Sequence, residues 1–261
     1  MERVHLYKYQ AAGNDFILVD NRTNQTHFAN EEIDRLCDRR FGIGADGLIR
    51  LEREEGYDFR MIYHNRDGSQ TFCGNGCRAI VHLAHYLGII EGKANFMAHD
   101  GPHEARIVTP GIIRVSLLKV PPPLVKGEND FYINTGTDHH VRFVTQLNSY
   151  PVFEEGRKIR YSEIYPRGTN ANFAEVLPEG IVAFRIYERG VEDETYSSGS
   201  GATACALVAS GKYGLISPVR LSARGGNLEV GFKKNDDGSF SDVWFQGPVQ
   251  LVFETDYATG K

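Results

Sequence analysis

The chain carries the same pair of motifs twice, and this duplication constrains its fold more than any other feature. Cys73-Gly74-Asn75-Gly76 opens an apolar helical stretch, and Ser198-Gly199-Ser200-Gly201 opens another 125 positions later. Gly13-Asn14-Asp15-Phe16 leads into a strand-like run, and Gly136-Thr137-Asp138-His139 leads into another 123 positions later. Two motif pairs in the same order at nearly the same offset indicate an internal repeat. The expected fold is therefore α/β, of the α+β kind, with two pseudo-symmetric domains. Each would be a curved, mostly antiparallel sheet or barrel wrapped around one central helix, with the active site in the cleft between them. At 261 residues the chain is long enough for two domains of about 130 residues each. Pro121-Pro122-Pro123 reads as a stiff connector. The first domain is expected to span 1–122 together with a C-terminal segment of about 252–261, and the second 123–251.

Local patterns fill in the halves. Strand-type runs occur at 16–19, 47–51 and 57–63 in the first, and at 172–176, 182–187 and 219–221 in the second. A helix is expected over 30–40, capped by Asn30 and closed by Gly42. A second should run from Gly76 to Gly88, and 202–213 is apolar and Ala-rich enough for a buried helix.

Composition excludes several classes. The chain is 41% apolar and 24% charged, with a net charge of −5 spread over both signs. No basic stripe suggests a nucleic-acid partner. The first residues lack the apolar run of a signal peptide, and the most apolar segment, 79–90, is too short to span a bilayer. No membrane partner is expected, and the location is expected to be cytoplasmic. Cys37, Cys73, Cys77 and Cys205 form no CxxC pair and no zinc-type cluster, so neither a disulfide framework nor a metal is expected. Cys37 and Cys205 read as small buried hydrophobes.

Cys73 reads differently. A glycine-rich turn entering a helix leaves several backbone N–H groups pointing at whatever sits in front. A small carboxylate held by two such turns would receive donors from both. A cysteine at the mouth of such a turn has its pKa lowered to between roughly 3.5 and 7.5, making Cys73 a candidate thiolate at neutral pH. Inverting a carbon stereocentre needs a base on one face and an acid on the other, which two duplicated helix starts could supply.

Gly13-Asn14-Asp15-Phe16, Arg39-Arg40-Phe41-Gly42-Ile43-Gly44-Ala45-Asp46-Gly47, Asn65-Arg66-Asp67-Gly68-Ser69, Cys73-Gly74-Asn75-Gly76-Cys77-Arg78 and Glu188-Arg189-Gly190 together resemble the diaminopimelate epimerase family. The likeness runs from end to end with the motifs in order. It implies an isomerase of lysine and cell-wall biosynthesis that interconverts LL- and meso-diaminopimelate without a cofactor. It also implies Cys73 as one base, with backbone amides of Gly74, Asn75, Gly199 and Ser200 on the substrate carboxylate. Glu188 and Arg189 match the pair that grips ammonium and carboxylate groups, Arg being a planar two-pronged donor. Asn14, Asn65 and Asn170 match further polar contacts, and His139 and Glu188 match residues that tune the bases. Homodimerisation is implied by the likeness alone.

The sequence departs from the family pattern in three places. Ser198 stands at the position of the second catalytic cysteine. Gly136-Thr137-Asp138-His139 replaces Gly-Asn/Ser-Pro-His, which puts Thr137 at a substrate-contact position. The loop after Arg189 is one residue longer than the commonest form. A serine hydroxyl is far less acidic than a thiol, which leaves several readings open. The chain is either a Cys→Ser form of an ordinary epimerase or a relative with altered chemistry. The latter could be a racemase or one-base dehydratase for another amino acid, or a catalytically dead amino-acid-binding protein.

Overall fold

The computed structural model describes residues 3–258. Met1, Glu2 and the end of the expected C-terminal segment, 259–261, lie outside the described residues. The chain divides into two compact units, Met1–Val115 with Pro248–Lys261, and Ser116–Gly247. The triple proline runs inside the second unit. The reason is the pairing of the residues before it: Leu117 N–H donates to Val243 O at 2.8 Å, and Val120 and Phe240 exchange backbone hydrogen bonds at 2.9 and 2.8 Å.

The first unit contains β1 (Arg3–Ala11), β2 (Asn14–Asp20), α1 (Asn30–Cys37), β3 (Gly47–Glu52), β4 (Phe59–Asn65), α2 (Gly74–Tyr86), β5 (Lys93–Ala98), β6 (Gly101–Thr109) and β7 (Ile112–Ser116). The chain's last strand, β17 (Gln250–Ala258), returns to pair with β1. The second unit contains β8 (Leu124–Val125), β9 (Asp130–Asn134), β10 (Asp138–Phe143), a 3₁₀ turn (Leu147–Ser149) and α3 (Val152–Arg160). It continues with β11 (Asn170–Val176), β12 (Val182–Glu188), β13 (Asp193–Thr195), α4 (Gly199–Tyr213), β14 (Val219–Ala223), β15 (Gly226–Lys234) and β16 (Phe240–Pro248).

Pairing makes the duplication explicit. In the first unit β17, β1 and β2 are antiparallel, β2 and β3 parallel, β3 and β4 antiparallel, β4 and β5 parallel, and β5, β6 and β7 antiparallel. The second unit repeats the same orientations through β8, β9, β10, β11, β12, β14, β15 and β16, with β13 as a short addition beside β12. Parallel neighbours need a crossover. Helices α1 and α3 make the first crossover of each unit, and α2 and α4 the second.

α2 and α4 sit in the cores of their units. α2 buries every residue from Gly74 to Val81, and α4 buries Gly199 and an unbroken run from Gly201 to Ser210. A helix without a polar face belongs inside a fold. α4 meets β9, β10, β11, β12, β14 and β15 of its own unit, so the strands wrap around it. Its alanines and glycines keep it thin. A Cβ on Gly201 would lie 2.6 Å from Asn172 Oδ1 and 2.9 Å from Ile186 Cδ1, and one on Gly76 would lie 2.9 Å from both Ile49 Cδ1 and Met61 Cε.

The first helix differs from expectation. α1 stops at Cys37, its cap position is Ala29 without a side-chain bond, and Asn30 is its first helical residue. Asp38 ends it, because its carboxylate accepts the N–H groups of Arg40 and Phe41 at 2.8 and 2.7 Å and turns the chain outward. Gly42 still closes the last turn, since its missing side chain would fall 2.0 Å from Arg35 O. α2 begins two residues earlier than expected, with Cys73 as cap.

Two substitutions in α4 test this packing. Gly201→Ala should destabilise the protein by about 1–3 kcal/mol, the cost of overpacking a filled core. Gly211→Ala meets nothing within 4 Å and should stabilise by up to about 1 kcal/mol through helix propensity. Urea unfolding of both variants reads the contrast, and equal effects would refute the packing role of Gly201.

Candidate active site: two capped helix starts

In the first unit Cys73 is extended and caps α2, its Sγ accepting Gly76 N–H at 3.4 Å. Ala12 and Gly13 both adopt positive φ (53° and 83°), as a two-residue turn from β1 into β2 requires, and this turn delivers Asn14. Asn14 Oδ1 lies 3.9 Å from Cys73 Sγ and accepts Asn75 Nδ2–H at 3.2 Å. Its orientation is set from behind. Asp46 Oδ2 accepts Asn14 Nδ2–H at 2.5 Å and Asp15 N–H at 3.1 Å. Thus Asn14, Cys73 and Asn75 converge at the start of α2, with the Gly74 and Asn75 amides in its first turn.

Charge surrounds this start. Arg39 bridges Asp15 and Asp46 at 2.7 and 2.9 Å, and Lys8 reaches Asp15 at 2.6 Å. Burial and the neighbouring Asp15 charge push the Asp46 carboxyl up. Burial acts on Asp15 in the same sense, but its bonds from Arg39 and Lys8 outweigh it and hold its carboxyl low. Behind the cap, Arg78 is wholly buried, which lowers it to about 10, while the charge interaction with Cys73 favours its protonated form. By reciprocity Arg78 favours the thiolate of Cys73. The other cysteines are fully buried; burial raises Cys37 to about 12 and pushes Cys77 and Cys205 well above the usual thiol range. They are inert small hydrophobes.

In the second unit Ser198 caps α4 in the same extended conformation, Oγ accepting Gly201 N–H at 3.2 Å. Its Oγ is 3.3 Å from Ser200 Oγ. Thr137 Oγ1 donates to Ser200 Oγ at 3.3 Å and lies 2.9 Å from His139 Nε2. Thr135 fixes the turn by donating to Ser200 O at 3.0 Å. Gly199 packs beneath the ring of Phe245, where a Cβ would be 2.9 Å away. His139 is fully buried, which drives its pKa down to about 3; the Asp138 charge opposes this shift and the Arg189 charge adds to it. The imidazole is therefore neutral.

The remaining candidates stand at strand ends. Asn65 closes β4 and Glu188 closes β12. Asn65 Nδ2 donates to Ser69 Oγ at 3.0 Å and Thr71 Oγ1 at 3.2 Å, holding the loop that leads to Cys73. Asn170 uses its amide internally, donating to Asp138 O at 3.0 Å and accepting Arg189 N–H at 2.9 Å. The Arg189 guanidinium donates to Arg167 O at 3.3 Å and keeps only a 4.0 Å contact with Asp138. Asp138 replaces the expected proline with a carboxylate. Burial would raise it, yet hydrogen bonds from Tyr132 (2.5 Å) and Asn134 (2.9 Å) hold it ionised.

Sequence reasoning missed three residues: Asp46, which orients Asn14; Arg78, the buried cation behind Cys73; and Asn172, whose Nδ2 lies 3.0 Å from His139 Nδ1. Asp46 and Arg78 were in motifs singled out for other reasons. Asn172 follows Asn170 by two on β11, the spacing that puts both on one face of a strand.

No helix among the described residues is long and apolar enough to cross a membrane, and no group of three or more His, Cys, Asp or Glu among them could hold a metal ion.

The family model described as diaminopimelate epimerase matches residues 6–114 and 131–252. The diaminopimelate epimerase of Flavobacterium psychrophilum is 46% identical over 96% of this chain and 98% of its own length. That of Chlorobaculum tepidum is 40% identical over 93% and 96%. Among solved structures, a Bacillus anthracis phenazine biosynthesis protein of the PhzF family superposes with a TM-score of 0.77 at 13% identity, covering 99% of this chain and all of that one; the likeness is of fold. Near-complete coverage by both the family model and these relatives means that the chain belongs to the diaminopimelate epimerase family of isomerases.

Proposed function

We propose that the chain epimerises diaminopimelate at an α-carbon, interconverting the LL and meso forms, with Cys73 as the base that removes the α-proton. The observation that carries this reading is the capped start of α2, where Gly76 N–H donates to Cys73 Sγ while Asn14 and Asn75 surround it. A thiolate there is favoured by the helix terminus and by buried Arg78. As the α-proton leaves, electron density moves onto the substrate carboxylate. Backbone amides at a helix start, those of Gly74 and Asn75 and of Gly199 and Ser200, are fixed donors for that charge and need no reorganisation. No electron-sink cofactor enters this scheme. Arg189 and Glu188 hold the charged groups of the substrate. The same family likeness carries the reading of a homodimer in the cytoplasm.

Ser198 takes the place of the second acid–base group. Its cap bond to Gly201 N–H repeats that of Cys73, so the backbone is prepared for a thiol. The hydroxyl can give a proton but is a poor base. A second reading follows: α-proton exchange proceeds at Cys73 while inversion is slow.

Arg189→Ala should abolish most substrate binding, whereas Cys73→Ala should retain binding and lose α-proton exchange. Calorimetry with diaminopimelate and deuterium exchange followed by NMR separate the two. Unchanged affinity in Arg189→Ala would remove its assignment as carboxylate clamp.

Ser198→Cys should raise epimerisation by at least about 10²-fold, the low end of a positioned acid–base contribution. Optical rotation and α-deuterium incorporation from LL-diaminopimelate measure it. A parent already turning over as fast as the cysteine variant would show that position 198 is not the second acid–base group.

A further inference from the structure

The duplication provides an internal control. By strand pairing, Phe16 opposite Gly47 in the first unit corresponds to His139 opposite Asn170 in the second, and Ile49 corresponds to Asn172. Packing agrees: a Cβ on Gly76 would strike Ile49, and one on Gly201 would strike Asn172. The side chains of Phe16, Ile49, His139 and Asn172 are all completely buried. The first unit thus fills this core position with an apolar pair, and the second fills it with a polar one. Burying two polar groups carries a cost unless they are hydrogen-bonded, and an apolar pair is evidently compatible with the fold.

The bonds of this polar pair have a direction. Asn172 Nδ2 lies 2.9 Å from His140 O, which can only accept, so the amide nitrogen must face that way. The same nitrogen lies 3.0 Å from His139 Nδ1 and donates its second N–H there. Nδ1 is therefore the bare nitrogen of the neutral ring, and the proton sits on Nε2. Nε2–H donates to Thr137 Oγ1 at 2.9 Å, whose own hydrogen goes to Ser200 Oγ at 3.3 Å. Ser200 can then donate to Ser198 Oγ at 3.3 Å, where Gly201 N–H also arrives.

We propose that Asn172, His139, Thr137 and Ser200 form a directed donor chain that makes Ser198 a proton donor, with His139 acting as a fixed N–H donor and not as the base for Ser198. This rests on the reading of Ser198 as the second acid–base group. In the step concerned, the Ser198 O–H bond breaks and a C–H bond forms at the α-carbanion left by Cys73. The oxygen keeps the electron pair as an alkoxide, stabilised by Ser200 O–H and Gly201 N–H. Water then reprotonates Ser198 and takes the proton held by Cys73. His139 keeps its own proton throughout, since losing it would leave a buried imidazolate. Asn172, His139 and Thr137 are positioning residues.

The test has a spectroscopic arm that needs no substrate. In full-length protein carrying ¹⁵N-histidine, the His139 ring, assigned by its loss in His139→Gln, should show the neutral Nε2–H tautomer at pH 7. Asn172→Leu, which copies the apolar character of Ile49 in the first unit, should remove that bias and give a mixture. A parent showing the Nδ1–H tautomer or an imidazolium would overturn the chain's direction. In the kinetic arm, Thr137→Val should lower the ratio of inversion to α-deuterium exchange on LL-diaminopimelate about 10-fold, the worth of one good hydrogen bond, and Thr137→Ser should restore it. An unchanged ratio in Thr137→Val would overturn the proposal. A parent with the Nε2–H tautomer but no exchange on diaminopimelate would instead overturn the substrate assignment and support the donor chain.

Discussion

A helix buried on every side cannot leave its first N–H groups to water, and both central helices meet that constraint with a side-chain cap. Cys73 Sγ takes Gly76 N–H and Ser198 Oγ takes Gly201 N–H, at 3.4 and 3.2 Å. The constraint reaches outward from there. The capping residue must be extended and the third residue after it must be glycine, because strands β3 and β4, or β11 and β12, press directly on it. Amides of the first turn left without a helical acceptor form a small concentration of positive potential. Structural need and anion affinity therefore come from the same few atoms at both caps.

Much of this was legible in the sequence because the chemistry is concentrated in short motifs. The two Gly-rich turns, their offset and the Ala-rich run of α4 pointed to a duplicated fold with two helix starts, and the repeated strand pairing follows that plan. What the sequence concealed depends on contacts between distant segments. Asp46 orients Asn14 from 32 positions away, and Asn172 reaches His139 from 33. The early end of α1 was hidden for a different reason: Asp38 competes for backbone N–H groups, and helical periodicity does not register such competition. Likewise Pro121-Pro122-Pro123 looked like a linker because stiffness is visible in composition. The pairing of Val120 with Phe240, which draws the preceding residues into the second unit, is not.

The two units solve one geometric problem with different side chains behind the turn residue. In each, a turn residue (Asn14 or Thr137) holds the residue two beyond the cap (Asn75 or Ser200). Behind Asn14 stand Asp46, Arg39, Asp15 and Lys8, an array of full charges, with Arg78 behind the cap itself. Behind Thr137 stand a neutral imidazole and an amide. A charged surrounding can stabilise a group that starts ionised. A neutral donor chain stabilises a group that starts protonated and becomes charged only in the step.

This asymmetry bears on why serine can occupy position 198 without disturbing the fold. Serine is among the best helix caps, and its oxygen makes to Gly201 N–H the bond that Cys73 Sγ makes to Gly76 N–H, from a similarly extended backbone. A serine at this cap is thus compatible with the fold, and under the proposed reaction its cost falls on chemistry. A thiol at 198 could begin as either acid or base, since its pKa lies within reach of neutrality. In the proposed reaction the Ser198 hydroxyl, bonded to Ser200 Oγ and Gly201 N–H, is suited to begin as the acid, and Cys73, beside buried Arg78, as the base. Under the proposed reaction, the equilibrium between substrate and product is fixed by their own free energies, so any slowing caused by a serine at 198 applies to both directions alike. On that reading the serine would limit the rate of the whole cycle without altering its end point.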